Sequence, residues 1–133
     1  MIGIDTNILL RYLVEDEPEQ TALAVDLIEN RLSAGEPGFI AITVVAEMAW
    51  ILKRRYRRTP AQVRTIVEEL LKAPQIVVER SAVVQSALEL QHPDLADAII
   101  CESCKAAGCE KTETFDRAFA RLPGAEMLSR HAQ

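Results

Sequence analysis

Four acids stand out in this chain for where they sit. Asp5, Glu47, Asp97 and Asp116 each interrupt an apolar stretch, at a point where a strand is expected to end or a helix to begin. Charged side chains are seldom buried unless paired or bound to a cation. Carboxylates gathered into one dry pocket repel, so protons or a cation must resolve the conflict. A hard divalent ion with oxygen ligands is the natural partner, which points toward metal-assisted phosphoryl chemistry.

Each acid also has a plain structural reading. Asp5 could cap a first helix, but Thr6 or Asn7 would serve as well, so capping does not require the acid. Glu47 could be an acid near a helix start that favours the helix dipole. Its neighbours one turn on are Trp50 and Ile51, so that face is expected to be partly buried. Asp94 and Asp97 have the spacing of an N-cap and its N3 residue. Asp94 is read as a cap first and as an aid to the site second. Asp97 leads into Ala98-Ile99-Ile100-Cys101, which places it beside buried residues. Asp116 could be an ordinary cap for a short helix. The set of four is far more specific than any one member.

The elements that would hold these acids alternate between strand and helix. Met1 to Ile4 reads as a buried first strand and Ile8 to Val14 as a first helix. Asp16-Glu17-Pro18 starts a second helix, carried by Val25, Ile28 and Leu32 until Gly35. Phe39 to Ile42 is a second strand, and Thr43 is the expected cap of a helix reaching about Tyr56. Thr59-Pro60 opens an amphipathic helix with Val63, Ile66, Val67, Leu70 and Leu71 on one face. Ile76 to Val78 is a third strand, and Ser81 to Leu90 a helix ended by His92-Pro93. Asp94 opens a helix to about Ala107, stopped by Gly108. Glu110 to Phe115 is a polar fourth strand, Asp116 to Leu122 a short helix and Ala125 to Leu128 an edge strand.

This order predicts an α/β fold with a mainly parallel sheet and helices on both faces. Ligands of such sheets bind beyond the carboxyl ends of the strands, near a switch point in the topology. Asp5 and Asp116 both follow expected strands, so they would meet if the first and fourth strands are neighbours.

The length of 133 residues suits one domain, residues 1–133, with a real core. Aromatics make up only 5 %, which favours helices packed on a sheet over a β-sandwich. The net charge of −5 does not advertise a nucleic-acid binder, so a polyanion would need a local basic patch or a metal. Asp5 and Asn7 break the first apolar run, which argues against a signal peptide. Ile40 to Leu52 is too short to span a bilayer, so a cytoplasmic protein with no membrane partner is expected. Cys101, Cys104 and Cys109 have a spacing open to a zinc reading, but zinc usually needs four ligands, and His92 and His131 lie in uncertain positions. Cys101 and Cys104 fall on an apolar helical run, where reduced cysteine is a small hydrophobe.

Asp5-Thr6-Asn7, Glu47 within an apolar helix, Leu95-Ala96-Asp97-Ala98-Ile99-Ile100 and Thr114-Phe115-Asp116 together resemble the acidic motifs of PIN-domain ribonucleases. The likeness is best to the VapC-type toxins of prokaryotic toxin–antitoxin pairs, and it runs over nearly the full length. It implies a three-layer α/β/α fold and endonucleolytic cleavage of RNA dependent on Mg²⁺ or Mn²⁺, with one or two ions per site. It also implies a homodimer and inhibition by a cognate, VapB-like antitoxin. By the same resemblance Asp5 and Asp97 are direct metal ligands. Glu47 would act through water or help activate the nucleophile, and Asp116 would complete a second metal position. Thr6, Asn7 and Thr114 have the chemistry to orient carboxylates or water by hydrogen bonding.

Lys53-Arg54-Arg55-Tyr56-Arg57-Arg58 is the main basic cluster. It reads as a solvated helix end, as a phosphate contact for RNA with Tyr56 stacking on a base, or as a dock for an acidic partner. Arg11, one turn beyond Asn7, is a further candidate for RNA contact. Among rival functions, a haloacid-dehalogenase-like phosphatase needs a second Asp where Asn7 stands. A receiver domain wants paired N-terminal acids and a late Lys. A dinucleotide site wants a G-x-G-x-x-G after the first strand, which is missing. A PIN-like module that binds RNA or a partner without cutting is the non-enzyme alternative.

Overall fold

The computed structural model describes residues 1–130. His131 lies outside them. The described elements are strands β1 (Ile2–Gly3), β2 (Gly38–Ile40), β3 (Ile76–Val78), β4 (Thr112–Thr114) and β5 (Ala125–Met127), with helices α1 (Thr6–Val14), α2 (Pro18–Val25), α3 (Ile42–Arg54), α4 (Pro60–Lys72), α5 (Ser81–Glu89) and α6 (Leu95–Ala106). A π turn over Asp26–Arg31 extends α2, and a 3₁₀ turn spans Phe119–Arg121. The α/β class and the parallel pairing are as the sequence predicts.

The pairing divides into two groups. β1, β2 and β3 form one parallel sheet, and β4 and β5 pair parallel in another. No ladder joins β1 to β4 among the described residues. The polar character of β4 has a visible reason. Its Glu113 sits in register with Glu126 of β5, and Lys111 Nζ lies 3.2 Å from both carboxylates, offsetting their repulsion.

The core runs between sheet and helices. Leu9, Leu10, Ile40, Val45, Met48 and Leu52 are its largest fully buried members, and three of them lie on α3. That helix packs on α1 and on α6, so it is the common neighbour of the segments carrying Asp5 and Asp97. Gly38 shows how tight the junction of β1 and β2 is. A Cβ there would lie 2.8 Å from Leu32 Cδ1 and 3.0 Å from Ile4 Cγ1. Gly38→Ala is therefore expected to cost about 1–3 kcal/mol of stability by overpacking, which urea unfolding would measure.

Local ends differ from the sequence reading in instructive ways. α1 starts at Thr6 rather than Ile8, because Asp5 itself is the cap: its Oδ1 accepts the Thr6 N–H at 2.8 Å. Thr43 does not cap α3. The helix starts at Ile42, whose N–H donates to Glu79 Oε1 at 2.9 Å, an acceptor just past β3 and 37 residues away. The segment after Asp116 is no regular helix until the 3₁₀ turn at Phe119. Asp116 closes a tight turn instead, donating its N–H to Thr114 Oγ1 and accepting from the Ala118 N–H.

Candidate nuclease site

The acids occupy two helix starts, the middle of α3 and one turn, and they form two linked groups. In the first, Asp5 caps α1 and Thr6, buried beneath it, donates from Oγ1 to Glu47 Oε1 at 2.5 Å. One threonine thereby ties the start of α1 to the middle of α3. In the second, Asp94 caps α6 by accepting the Asp97 N–H at 3.0 Å, and Asp97 stands in the first turn. Glu47 and Lys53 are six residues apart on α3, or about 9 Å along the helix axis. Lys53 lines one narrow cleft with His92 and Asp94. α3 thus connects the two groups.

The site is not the dry pocket its composition suggests. Asp5, Glu47 and Asp116 are exposed, and Asp97 is half-buried. Trp50 is half exposed and Ile51 partly buried against the core, so the Glu47 face of α3 is partly covered, as expected, while Glu47 itself is open to solvent. The acids line an accessible surface, as access for a large polymer requires.

Asp97 nonetheless carries the electrostatic signature of a functional acid. Burial pushes its carboxyl above the usual value of 3.8, and the negative charges of Asp94 and then Asp116 push it further, while His92 and then Lys53 oppose the shift. Two acids, one from its own helix start and one from the Asp116 turn, therefore act on a single half-buried carboxylate.

The donor set suits a hard divalent cation: carboxylate oxygens, with Thr6, Asn7 and Thr114 beside them. Positive charge at Asp97 would relieve its conflict with Asp94 and Asp116. Among the described residues no three Asp, Glu, His or Cys side chains converge into a ready-made metal cage. Mg²⁺ keeps several of its waters and needs only one or two direct carboxylates.

The basic residues are less uniform than their sequence clustering suggests. Arg11 is turned onto α2, donating to Gln20 Oε1 at 2.7 Å and lying 3.5 Å from Asp16. Tyr56 is not free for base stacking, since its ring packs on the core and its hydroxyl donates to Asp16 Oδ2 at 3.1 Å. Arg54 lies over the Trp50 ring at 5.5 Å. Arg55 and Arg57 are exposed, and Arg58 is partly covered. Lys53 alone of the cluster reaches the field of the acids. A groove of about 460 Å³ runs from Asn7 and Ile8 past Arg11 to Leu23 and Leu27. It offers an apolar floor with Arg11 and Arg31 as cationic walls, and Asn7 lies at one end.

Two contributors were not picked out from the sequence. Glu79 starts α3, a role set by tertiary proximity alone. His92 joins the two halves of the second acid group and is treated below. Cys101, meanwhile, is buried, with its Sγ 3.5 Å from the Pro123 carbonyl oxygen.

The PIN domain matches residues 2–125, nearly the whole chain. The chain belongs to the PIN domain family. PIN domains are nucleases in general, and their nucleases generally use divalent metals, which agrees with an all-oxygen acidic site. The family favours RNA as ligand. It also sets aside the phosphatase alternative. No curated protein matches the chain. No helix among the described residues is long and apolar enough to cross a membrane.

Within this PIN domain, Thr6 offers a test of how the acids are held. Thr6→Val keeps shape and burial but removes the hydrogen bond to Glu47. Loss of a partner that orients a site carboxylate costs about 10–100-fold in activity, whereas one hydrogen bond to a carboxylate contributes about 1.5–3 kcal/mol to stability. Cleavage kinetics beside thermal melts would separate the two.

Proposed function

We propose that this PIN domain is a metal-dependent endoribonuclease and the toxin of a toxin–antitoxin pair, acting as a homodimer and restrained by a cognate VapB-like antitoxin. The observation that carries the catalytic part is the proximity of Asp94 and Asp116 to the half-buried Asp97 carboxylate, which is raised by burial and like charge, at the start of the helix next to the one bearing Glu47. Asp5 and Asp97 are assigned as direct ligands of one or two Mg²⁺ or Mn²⁺ ions, with Glu47 and Asp116 completing the site. A bound ion lowers the pKa of its water and neutralises charge on the phosphate. The chain's own residues set the geometry. Thr6 fixes Glu47, where its free oxygen can take a proton from the attacking water. Asp94 fixes the backbone under Asp97. The Thr114 hydroxyl fixes the turn that presents Asp116. Lys53 supplies a cation near the acids for a phosphate oxygen, and Arg55, Arg57 and Arg58 contribute screened, sequence-independent attraction.

The whole chain is taken as one nuclease domain working in the cytoplasm. Induced expression in a bacterial host tests the toxin reading. Growth arrest with accumulation of discrete RNA fragments is expected, and both should vanish with Asp5→Ala. Growth unaffected by the wild-type chain, despite RNA cleavage by the purified protein, would retain the nuclease and discard the toxin. Retention of RNA without cleavage under any metal would favour the silent binding module.

A further inference from the structure

His92 lies between Asp94 and the turn that carries Asp116, and both of its ring nitrogens are engaged. Nε2 is 2.8 Å from the carbonyl oxygen of Ala118. A carbonyl can only accept, so Nε2 carries the proton. Nδ1 faces the Asp94 backbone, where the Asp94 N–H donates to it at 3.0 Å. The Asp94 carbonyl oxygen lies 3.1 Å from the same nitrogen, so the ring meets both backbone groups of Asp94.

This second bond has a consequence for Asp97. At the start of a helix, a side-chain acceptor at N3 can fold back to accept the N–H of the cap residue, as Glu and Gln do in a capping box. Here that N–H belongs to Asp94, and His92 occupies it. The Asp97 carboxylate is therefore released from the capping role that its spacing would give it. Meanwhile the Nε2 bond grips the backbone two residues beyond Asp116, inside the turn where Asp116 Oδ1 accepts the Ala118 N–H at 2.8 Å. One imidazole thus frees one acid and anchors another, across 26 residues of sequence.

We propose that His92 is a positioning residue of the nuclease site, a clamp that sets the distance between Asp97 and Asp116. It touches neither substrate nor metal, and it acts through the Asp94 amide and the Ala118 carbonyl. This inference rests on the nuclease reading for its kinetic consequence, but not for its structural one.

Three variants of the full chain resolve its parts. His92→Ala loses both bonds. His92→Asn keeps an oxygen able to accept the Asp94 N–H but cannot reach Ala118. His92→Gln can reach Ala118 with a donor. Hydrogen exchange at residues 117–121 should speed up in the Ala and Asn variants and stay near wild type in Gln. Mn²⁺ affinity, measured with the metal alone by calorimetry, and kcat should each fall about 10–100-fold in His92→Ala, with KM for RNA within about twofold. Gln should recover most of the loss. The proposal is overturned if His92→Ala exchanges, binds Mn²⁺ and cleaves like wild type. It is equally overturned if Gln is no better than Ala and both simply melt earlier. Wild-type protein that cleaves no RNA would defeat the nuclease reading alone, and exchange and Mn²⁺ affinity would still decide the clamp.

Discussion

Asp97→Asn is expected to reduce RNA cleavage by at least about 10³-fold while leaving the folded chain at least as stable as wild type at pH 7. The activity loss follows from removing a direct metal ligand, since the several kcal/mol such an ion supplies correspond to a factor of ten for each 1.4 kcal/mol or so. The stability expectation follows from the sign of the Asp97 shift. Its carboxyl is raised above 3.8 by burial and by Asp94 and Asp116. The folded chain therefore holds that proton more tightly than the unfolded chain. The stabilisation this gives is full below the ordinary carboxylate value and is lost as pH rises through the raised one. At pH 7 the ionised Asp97 is a burden on the fold, and Asn removes it while keeping size and the backbone N–H that Asp94 caps. Melts at pH 7 and near pH 3 should show the variant gaining relative to wild type only at the higher pH. A large loss of stability at pH 7 would mean that Asp97 serves the fold and not a site.

Leu52→Ala is the complementary case. Leu52 is fully buried on α3, in the seam with Val45 and Met48, on the helix that carries Glu47 and Lys53. Truncating such a leucine costs about 2–5 kcal/mol, because transfer free energy is lost and a cavity remains. For a chain of 133 residues that corresponds to a drop in Tm of roughly 6–20 °C. At 25 °C the surviving folded fraction should cleave RNA with nearly wild-type kcat, since Leu52 lines no part of the site. The two variants thus dissociate in opposite directions, one inactive and stable, the other active and fragile. A Leu52→Ala protein that is fully folded yet inactive would mean that the acids depend on fine packing of α3 rather than on the hydrogen bonds described.

The strand–helix order and nearly every element were readable from periodicity, because apolar spacing and the Pro and Gly breaks are local signals. Thr59-Pro60 shows this well: the cap, the proline and the reciprocal Gln62 bond all fall as the spacing requires. What was not readable depends on partners distant in sequence. Thr43 lost the cap of α3 to Glu79. Asp116 is the local exception: it is a turn residue and not a helix cap, since Thr114 and Ala118, each two residues away, close a tight turn on it. The openness of the acids was also missed, because an acid in an apolar stretch suggests burial, whereas Asp5, Glu47 and Asp116 sit at element ends or on outer faces. The likeness to the PIN family rested on the order of four short motifs, and it holds over residues 2–125. Tyr56 and Arg11 looked available in one dimension, and both are held by Asp16 or Gln20 from α2 and its approach. His92 gave only the signal of a break before proline, and its two bonds appear once the chain is folded.

Chemical analysis of the ends left on cleaved RNA is the most direct measurement of whether these acids direct a metal-activated water at phosphorus. The purified chain, free of antitoxin, would be incubated with RNA in Mg²⁺ or Mn²⁺, beside EDTA and beside Asp97→Asn. Attack by water predicts fragments with 5′-phosphate and 3′-hydroxyl ends that disappear in EDTA and in the variant. Fragments bearing 2′,3′-cyclic phosphate and 5′-hydroxyl ends, persisting in EDTA, would mean attack by the RNA's own 2′-hydroxyl and would contradict a metal-bearing site built on Asp5, Glu47, Asp97 and Asp116.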